Sequence, residues 1–174
     1  MVVFVGCSSS NDVDELYIKE TEKLAQILCD YNCTLMFGSS EDGMMGIIYK
    51  IFKKNGCKVI SVLPEENYGM LKEVDADKKI FVKKSSDQLK YLVNSGDMTI
   101  ILPGSFGTLA ELVTSIQCKK LGEHNKKVII ININGFYDKL LKQFNDYENK
   151  KFDLYDQSKL YDVINDCSEI KKYL

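Results

Sequence analysis

The sequence predicts a single α/β domain over residues 1–174, a doubly wound and mostly parallel sheet of about six to seven strands with helices on both faces. Three observations carry this. Short apolar runs alternate with longer amphipathic ones along the whole chain. Several short runs are continuously apolar and rich in Val and Ile, as strands covered on both faces require. The turns after three of them are crowded with Gly and Ser, which suits tight connections into helices.

Taken in order, the strand candidates are VVFVG (2–6), TLMFG (34–38), KVISVLP (58–64), KIFV (79–82), MTIILP (98–103), KVIIINI (127–133) and, weakly, LYDVI (160–164). Helical patterns lie between them. Asp12 to Tyr31 sets Leu16, Leu24, Ile27 and Leu28 on one stripe, with Asp12, Asp14 and Glu15 near the positive end of the helix dipole. Gly43 to Asn55 and Ser85 to Asn94 are shorter helices. Gly107 to Leu121 repeats Leu109, Leu112, Val113 and Ile116 at helical spacing. Asn134-Gly135 precedes another helix through about Tyr147, and a small closing helix starts at Cys167 or Ser168. Pro64 and Pro103, the two prolines, each end a strand candidate.

Composition narrows the function. A formal net charge of −2 and the lack of a basic face point away from nucleic acid and anionic membranes as partners. No apolar run approaches a membrane span, and MVVFVGCSSSND lacks the basic start of a signal peptide, so a cytoplasmic protein is expected. The six cysteines (Cys7, Cys29, Cys33, Cys57, Cys118, Cys167) contain no CxxC pair, and His124 is the single imidazole. Neither a metal site nor a cofactor is expected, and the cysteines read as structural.

Ligands of open parallel sheets bind outside the carboxyl ends of the strands, near the point where strand order reverses. Three small-residue turns fall at such ends: VGCSSSND (5–12), FGSSEDGMMG (37–46) and LPGSFGTLAEL (102–112). In the first, Gly6 and Ser8 to Ser10 allow close backbone approach and supply hydroxyls. Gly38, Gly43 and Gly46 do likewise in the second. In the third, Gly104 and Gly107 are free to adopt positive φ, while Ser105, Phe106, Gly107 and Thr108 open a helix whose unpaired N–H groups favour a phosphate. Any one of these is also what a plain tight turn looks like; three at equivalent strand ends point to a shared pocket. The chain holds neither GxxxxGK[ST] nor GxGxxG. Glu111, four residues beyond Gly107, is either a carboxylate within reach of a ribose or a solvated helix residue favoured by the dipole.

PGSFGTLAE (103–111) resembles the Pro-Gly-Gly-x-Gly-Thr-x-x-Glu signature of the LOG (LONELY GUY) family, often labelled lysine decarboxylase-like. VGCSSSN resembles the family's Cys-Gly-Ser-Ser segment, and FGSSEDGMMG its second glycine-rich turn. KKLGEHNKKVIIININGFYDKLL (119–141) is similar to the segment that follows the family's signature. The resemblance implies a Rossmann-like sheet, a homodimer, and a nucleoside 5′-monophosphate (AMP-like) partner whose N-glycosidic bond is hydrolysed to free base and ribose 5-phosphate. Glu111 stands at the family's catalytic glutamate. A literal decarboxylase would ordinarily need a Schiff-base lysine for pyridoxal phosphate, and nothing in the sequence singles one out.

Departures from the family pattern bear on activity. SSDQLK (85–90) puts Gln88 where the family has its second catalytic residue, an arginine, and Leu89 where it has lysine. Glutamine forms hydrogen bonds but carries no fixed charge. Ser105 replaces the second motif glycine, Ser39 and Ser40 replace the middle glycines of the second turn, and Gln117-Cys118 replaces Thr-Trp. The resemblance therefore implies a phosphoribohydrolase of altered constitution or, alternatively, a catalytically weak nucleotide-binding protein.

Overall fold

The structure, a computed structural model, describes residues 1–67 and 74–174. Among these residues, seven parallel strands form one sheet: β1 (Val2–Gly6), β2 (Thr34–Phe37), β3 (Val59–Pro64), β4 (Lys78–Val82), β5 (Met98–Ile101), β6 (Lys127–Ile131) and β7 (Asp162–Ile164). Their spatial order is β4-β3-β2-β1-β5-β6-β7. From β1 the chain first builds outward one way to β4, then returns to β1 and builds the other way to β7. The reversal falls between β1 and β5, where Val3 pairs with Met98 and Gly6 with Ile101.

Among the described residues, five α-helices cover the sheet: α1 (Glu15–Asp30), α2 (Gly43–Lys54), α3 (Ser85–Asn94), α4 (Phe106–Lys120) and α5 (Asp138–Asn149). Leu24 and Leu28 of α1 and Ile48 and Phe52 of α2 pack on one face with Val3, Val5 and Ile100. On the other face, Leu92 and Val93 of α3 meet Phe4, Met36 and Val62. Leu112 of α4 and Phe144 of α5 meet Ile101, Val128 and Ile130 there. Alternate residues of one strand thus serve opposite layers, which explains why the strands read as unbroken apolar runs. Each fully buried Leu, Ile or Phe contributes roughly 1.5–3 kcal/mol.

Local chemistry sets the ends. α1 begins at Glu15 rather than Asp12 because the Asp14 carboxylate accepts the Leu16 N–H at 2.8 Å. α4 begins one residue before the glycine at which the sequence pattern starts it. The segment after β6 is a 3-10 turn, Ile133–Gly135, with Asn134 and Gly135 at positive φ, followed by α5. The closing segment, Cys167–Lys172, is a 3-10 helix docked on α1, where Lys23 Nζ meets Asp166 at 2.7 Å.

Gly104 and Gly107 do not take positive φ. Gly104 is required for a different reason: a Cβ there would collide with the Thr108 side chain. Around Gly107 a Cβ would meet nothing within 4 Å. The expectation of left-handed backbone in this turn is therefore corrected. Ser105 leads into α4 in extended conformation instead, with φ −99°.

No helix among the described residues is long and apolar enough to cross a membrane.

Candidate functional site

Gly6 ends β1 and Leu102 follows β5, side by side where the strand order reverses. The Leu102 N–H donates to the Gly6 carbonyl at 2.9 Å, and the Ser8 N–H to the Pro103 carbonyl at 3.1 Å. The ladder so continues beyond the strands and locks two of the small-residue turns together. The Ser8 hydroxyl accepts the Ser10 N–H, so part of the serine run is engaged in shaping its own turn.

The second turn rests on the first. The Gly43 N–H donates to Asn11 Oδ1 at 2.8 Å and the Met45 N–H to the Ser8 carbonyl at 3.2 Å. Gly43 has φ +58°, and a Cβ there would lie 2.5 Å from the Ser10 carbonyl oxygen, so only glycine satisfies both constraints. Gly46 is buried with its open side against the Glu41 carbonyl. Both glycines serve close packing of backbone on backbone. Ser39 is buried at φ +70°, a conformation that disfavours a side chain. Its hydroxyl accepts that of Ser61 at 2.7 Å, an anchor that glycine could not provide.

The third turn leads into α4. The first backbone bond of its helical pattern runs from the Leu109 N–H to the Ser105 carbonyl. Among the described residues, nothing accepts from the N–H groups of Phe106, Gly107 and Thr108. Thr108 is buried, whereas Ser105, Phe106 and Gly107 are exposed. The turn is held from below by Tyr137, whose hydroxyl donates to the Leu102 carbonyl at 2.8 Å. Tyr137 is fixed in turn by Asn132, which accepts its N–H and donates to Asp138, both at 2.7 Å.

Glu111 lies one helical turn into α4 and points back over the end of β1. A Cβ on residue 6 would sit 2.5 Å from Glu111 Oε2. That oxygen is shielded from solvent and has no hydrogen-bond partner among the described residues. Burial pushes the carboxyl up from 4.5 to about 8. The Cys7 thiol and the Tyr137 hydroxyl are close enough for the Glu111 charge to raise both further, after burial as the larger cause. An unpaired buried carboxyl oxygen is costly, and at such a strand end it is a functional signal.

Gln88 is not free to take an arginine's part. Its Nε2 donates to the Val62 carbonyl at 2.7 Å and to the Gly38 carbonyl at 3.1 Å. These bonds tie α3 to the carboxyl ends of β3 and β2. The remaining polar atom of the side chain, Oε1, is an acceptor.

Two crevices flank Gly104 and Ser105. One, of about 230 Å³, is walled by Ser8, Val13, Tyr17, Met44 and Phe136. The other, of about 350 Å³, is walled by Phe106, Leu109, Tyr137, Lys139 and Leu140. Tyr17 and Phe136 meet edge to face at 5.9 Å. Lys139 is the one cation lining either crevice among the described residues. Sequence reasoning singled out none of Tyr17, Met44, Phe136 or Lys139; the signal was the GFYDKLL stretch, which carries two of them.

Comparison with known proteins bears on the family and the fold. The family profile described as "Possible lysine decarboxylase" matches residues 44–174. A probable cytokinin riboside 5′-monophosphate phosphoribohydrolase of Arabidopsis thaliana is 33% identical over 142 residues, 80% of this chain and 70% of that protein. A second, from Oryza sativa subsp. japonica, is 32% identical over 142 residues, again 80% of this chain but 57% of that protein. Among solved structures, the Moco carrier protein of Chlamydomonas reinhardtii superimposes with a TM-score of 0.74 at 18% identity, covering 99% of this chain and 93% of that one. The molybdenum cofactor binding protein of Rippkaea orientalis gives the same score at 19% identity. At such identities the two structures speak for the fold alone.

Proposed function

The chain belongs to the lysine decarboxylase-like (LOG) family, and on that premise we propose that it hydrolyses the N-glycosidic bond of a nucleoside 5′-monophosphate, giving free base and ribose 5-phosphate. The observation that carries this reading is Glu111 Oε2, buried without a partner among the described residues over Gly6, one turn from the free N–H groups that open α4.

The 5′-phosphate accepts hydrogen bonds from the N–H groups of Phe106, Gly107 and Thr108, where the α4 dipole favours an anion. With the phosphate at the helix start, the ribose extends toward the end of β1. Cleavage of the C1′–N bond leaves positive charge on the ribose, and an ionised Glu111 stabilises it while orienting the attacking water. Because the carboxyl loses its proton only near 8, the ionised form gains population through the neutral range as pH rises. The base lies in an apolar crevice, and the Tyr17–Phe136 pair offers it an aromatic wall.

A second reading is favoured by Gln88. With both of its amide hydrogens held by Val62 and Gly38, the position supplies no cation to the transition state, as for a protein that binds a nucleotide without turning it over. Incubation with AMP and other nucleoside monophosphates separates the readings. Release of base with equimolar ribose 5-phosphate supports hydrolysis; saturable binding with no release over hours selects the second reading. In that case Gln88→Arg shows whether the missing charge is the limiting defect.

We place the active form as a homodimer, in the cytoplasm. Phe106, at 88% exposed beside the site, Val113 further along α4 and Leu121 just past its end are exposed apolar side chains, a surface suited to a second copy.

A further inference from the structure

At the amino-terminal edge of the sheet, opposite the site, a cavity of about 410 Å³ is lined by three of the six cysteines: Cys29, Cys33 and Cys57. Cys29 lies in the last turn of α1, Cys33 directly precedes β2, and Cys57 follows α2. They converge because parallel strands and their preceding helices all begin and end at this edge. Cys29 and Cys33 are buried, and Cys57 is half-exposed, with its thiol 3.9 Å from the Asn55 carbonyl. After burial, the neighbouring Cys57 raises the Cys29 thiol most, and Cys33 also lies near enough for its charge to be felt there.

We propose that Cys29 and Cys57 are an oxidisable dithiol, converted to a disulfide by small-molecule disulfides of the oxidised glutathione class. Nothing in the proposed hydrolysis uses these residues. Cys57 is the entry point, since it alone of the three is reachable from solvent. Its thiolate attacks one sulfur of the reagent, forming a mixed disulfide and releasing one thiolate. Cys29 then attacks the Cys57 sulfur and displaces the second thiol, with the departing sulfur taking the Cys29 proton. The protein gives up two protons and two electrons, and one disulfide reagent becomes two thiols. Burial holds the Cys29 thiol well above its ordinary value, at about 12, so Cys29 is a poor first nucleophile and acts as the resolving partner.

The crosslink would join the end of α1 to the turn between α2 and β3, whose other ends carry Tyr17 and Gly43 at the site. The test is to expose the reduced full-length chain to oxidised glutathione, block remaining thiols with N-ethylmaleimide, and map linked peptides by mass spectrometry. The expected result is a loss of two blockable thiols out of six, in a peptide pair joining Cys29 to Cys57. Cys29→Ser should leave a stable glutathione adduct on Cys57, and Cys33→Ser should leave the crosslink intact. Six blockable thiols after treatment, a wild-type adduct on Cys57 that never resolves, or a link through Cys33 would each overturn the proposal. The wild-type mapping decides the matter even if a serine variant fails to fold.

Discussion

Glu111 occupies the space that any side chain on Gly6 would need: a Cβ there would stand 2.5 Å from Oε2, and 2.9 Å from the flexible tip of Ile101. Gly6→Ala should therefore displace the carboxyl and cost about 1–3 kcal/mol of stability, the usual range for overpacking. In a Glu111→Ala background the same change should cost much less. Chemical denaturation of the four proteins of this cycle measures the coupling, expected at roughly 0.5–3 kcal/mol. Additive costs would mean that the two residues do not share the space.

The shielded Glu111 carboxyl makes stability depend on pH. In the unfolded chain it loses its proton near 4.5, but in the fold only near 8. The folded state thus binds more protons between these values, and stability falls as pH rises through that window. Glu111→Gln should remove this loss. Its melting temperature should match the parent near pH 4 and exceed it at pH 8, by an amount corresponding to about 1–3 kcal/mol, the scale of a buried group without a partner. A melting-temperature difference independent of pH would contradict this.

Gln88 ties two strand ends together, so its loss should be felt in the fold first. Gln88→Leu leaves the Gly38 and Val62 carbonyls without their donor and should lower stability by about 1–3 kcal/mol in urea unfolding. Protection of the β2 and β3 ends in hydrogen exchange should fall with it, while β6 and β7 remain as before.

Phe106 tests the assembly. Phe106→Asp places a charge on the exposed apolar side of α4 without touching the core. Sedimentation should show the parent at twice the chain mass and the variant at the chain mass. A parent that sediments as a monomer would remove the homodimer from the account.

Much of this was legible in the residues. α3 has the bounds the pattern predicts, because SSDQLK opens it and its apolar spacing is regular. β7 was faint because it is three residues long at the sheet edge, where only one neighbour constrains its composition. Glu111 could be singled out because it belongs to a compact motif. The use made of Gln88 could not, since its acceptors lie 50 and 26 residues away and are backbone atoms that carry no side-chain signature. Gly104 shows a different limit. A sequence says that a side chain is excluded but not by what, and here Thr108 excludes it rather than a left-handed turn. The Tyr17–Phe136 wall depends on where α1 meets the turn before α5, and the place of Lys139 on where α5 meets the start of α4, which only the packed fold determines.

The most direct test of the central claim is the release of adenine and ribose 5-phosphate from AMP by the full-length chain and by Glu111→Gln, with AMP binding measured in parallel. The account predicts equimolar products from the parent and, for the variant, a kcat lower by about 10²–10³, as for other losses of a single charge-stabilising group, with binding retained. Equal rates from both proteins would contradict the role of Glu111, and no release from the parent would contradict the hydrolase itself.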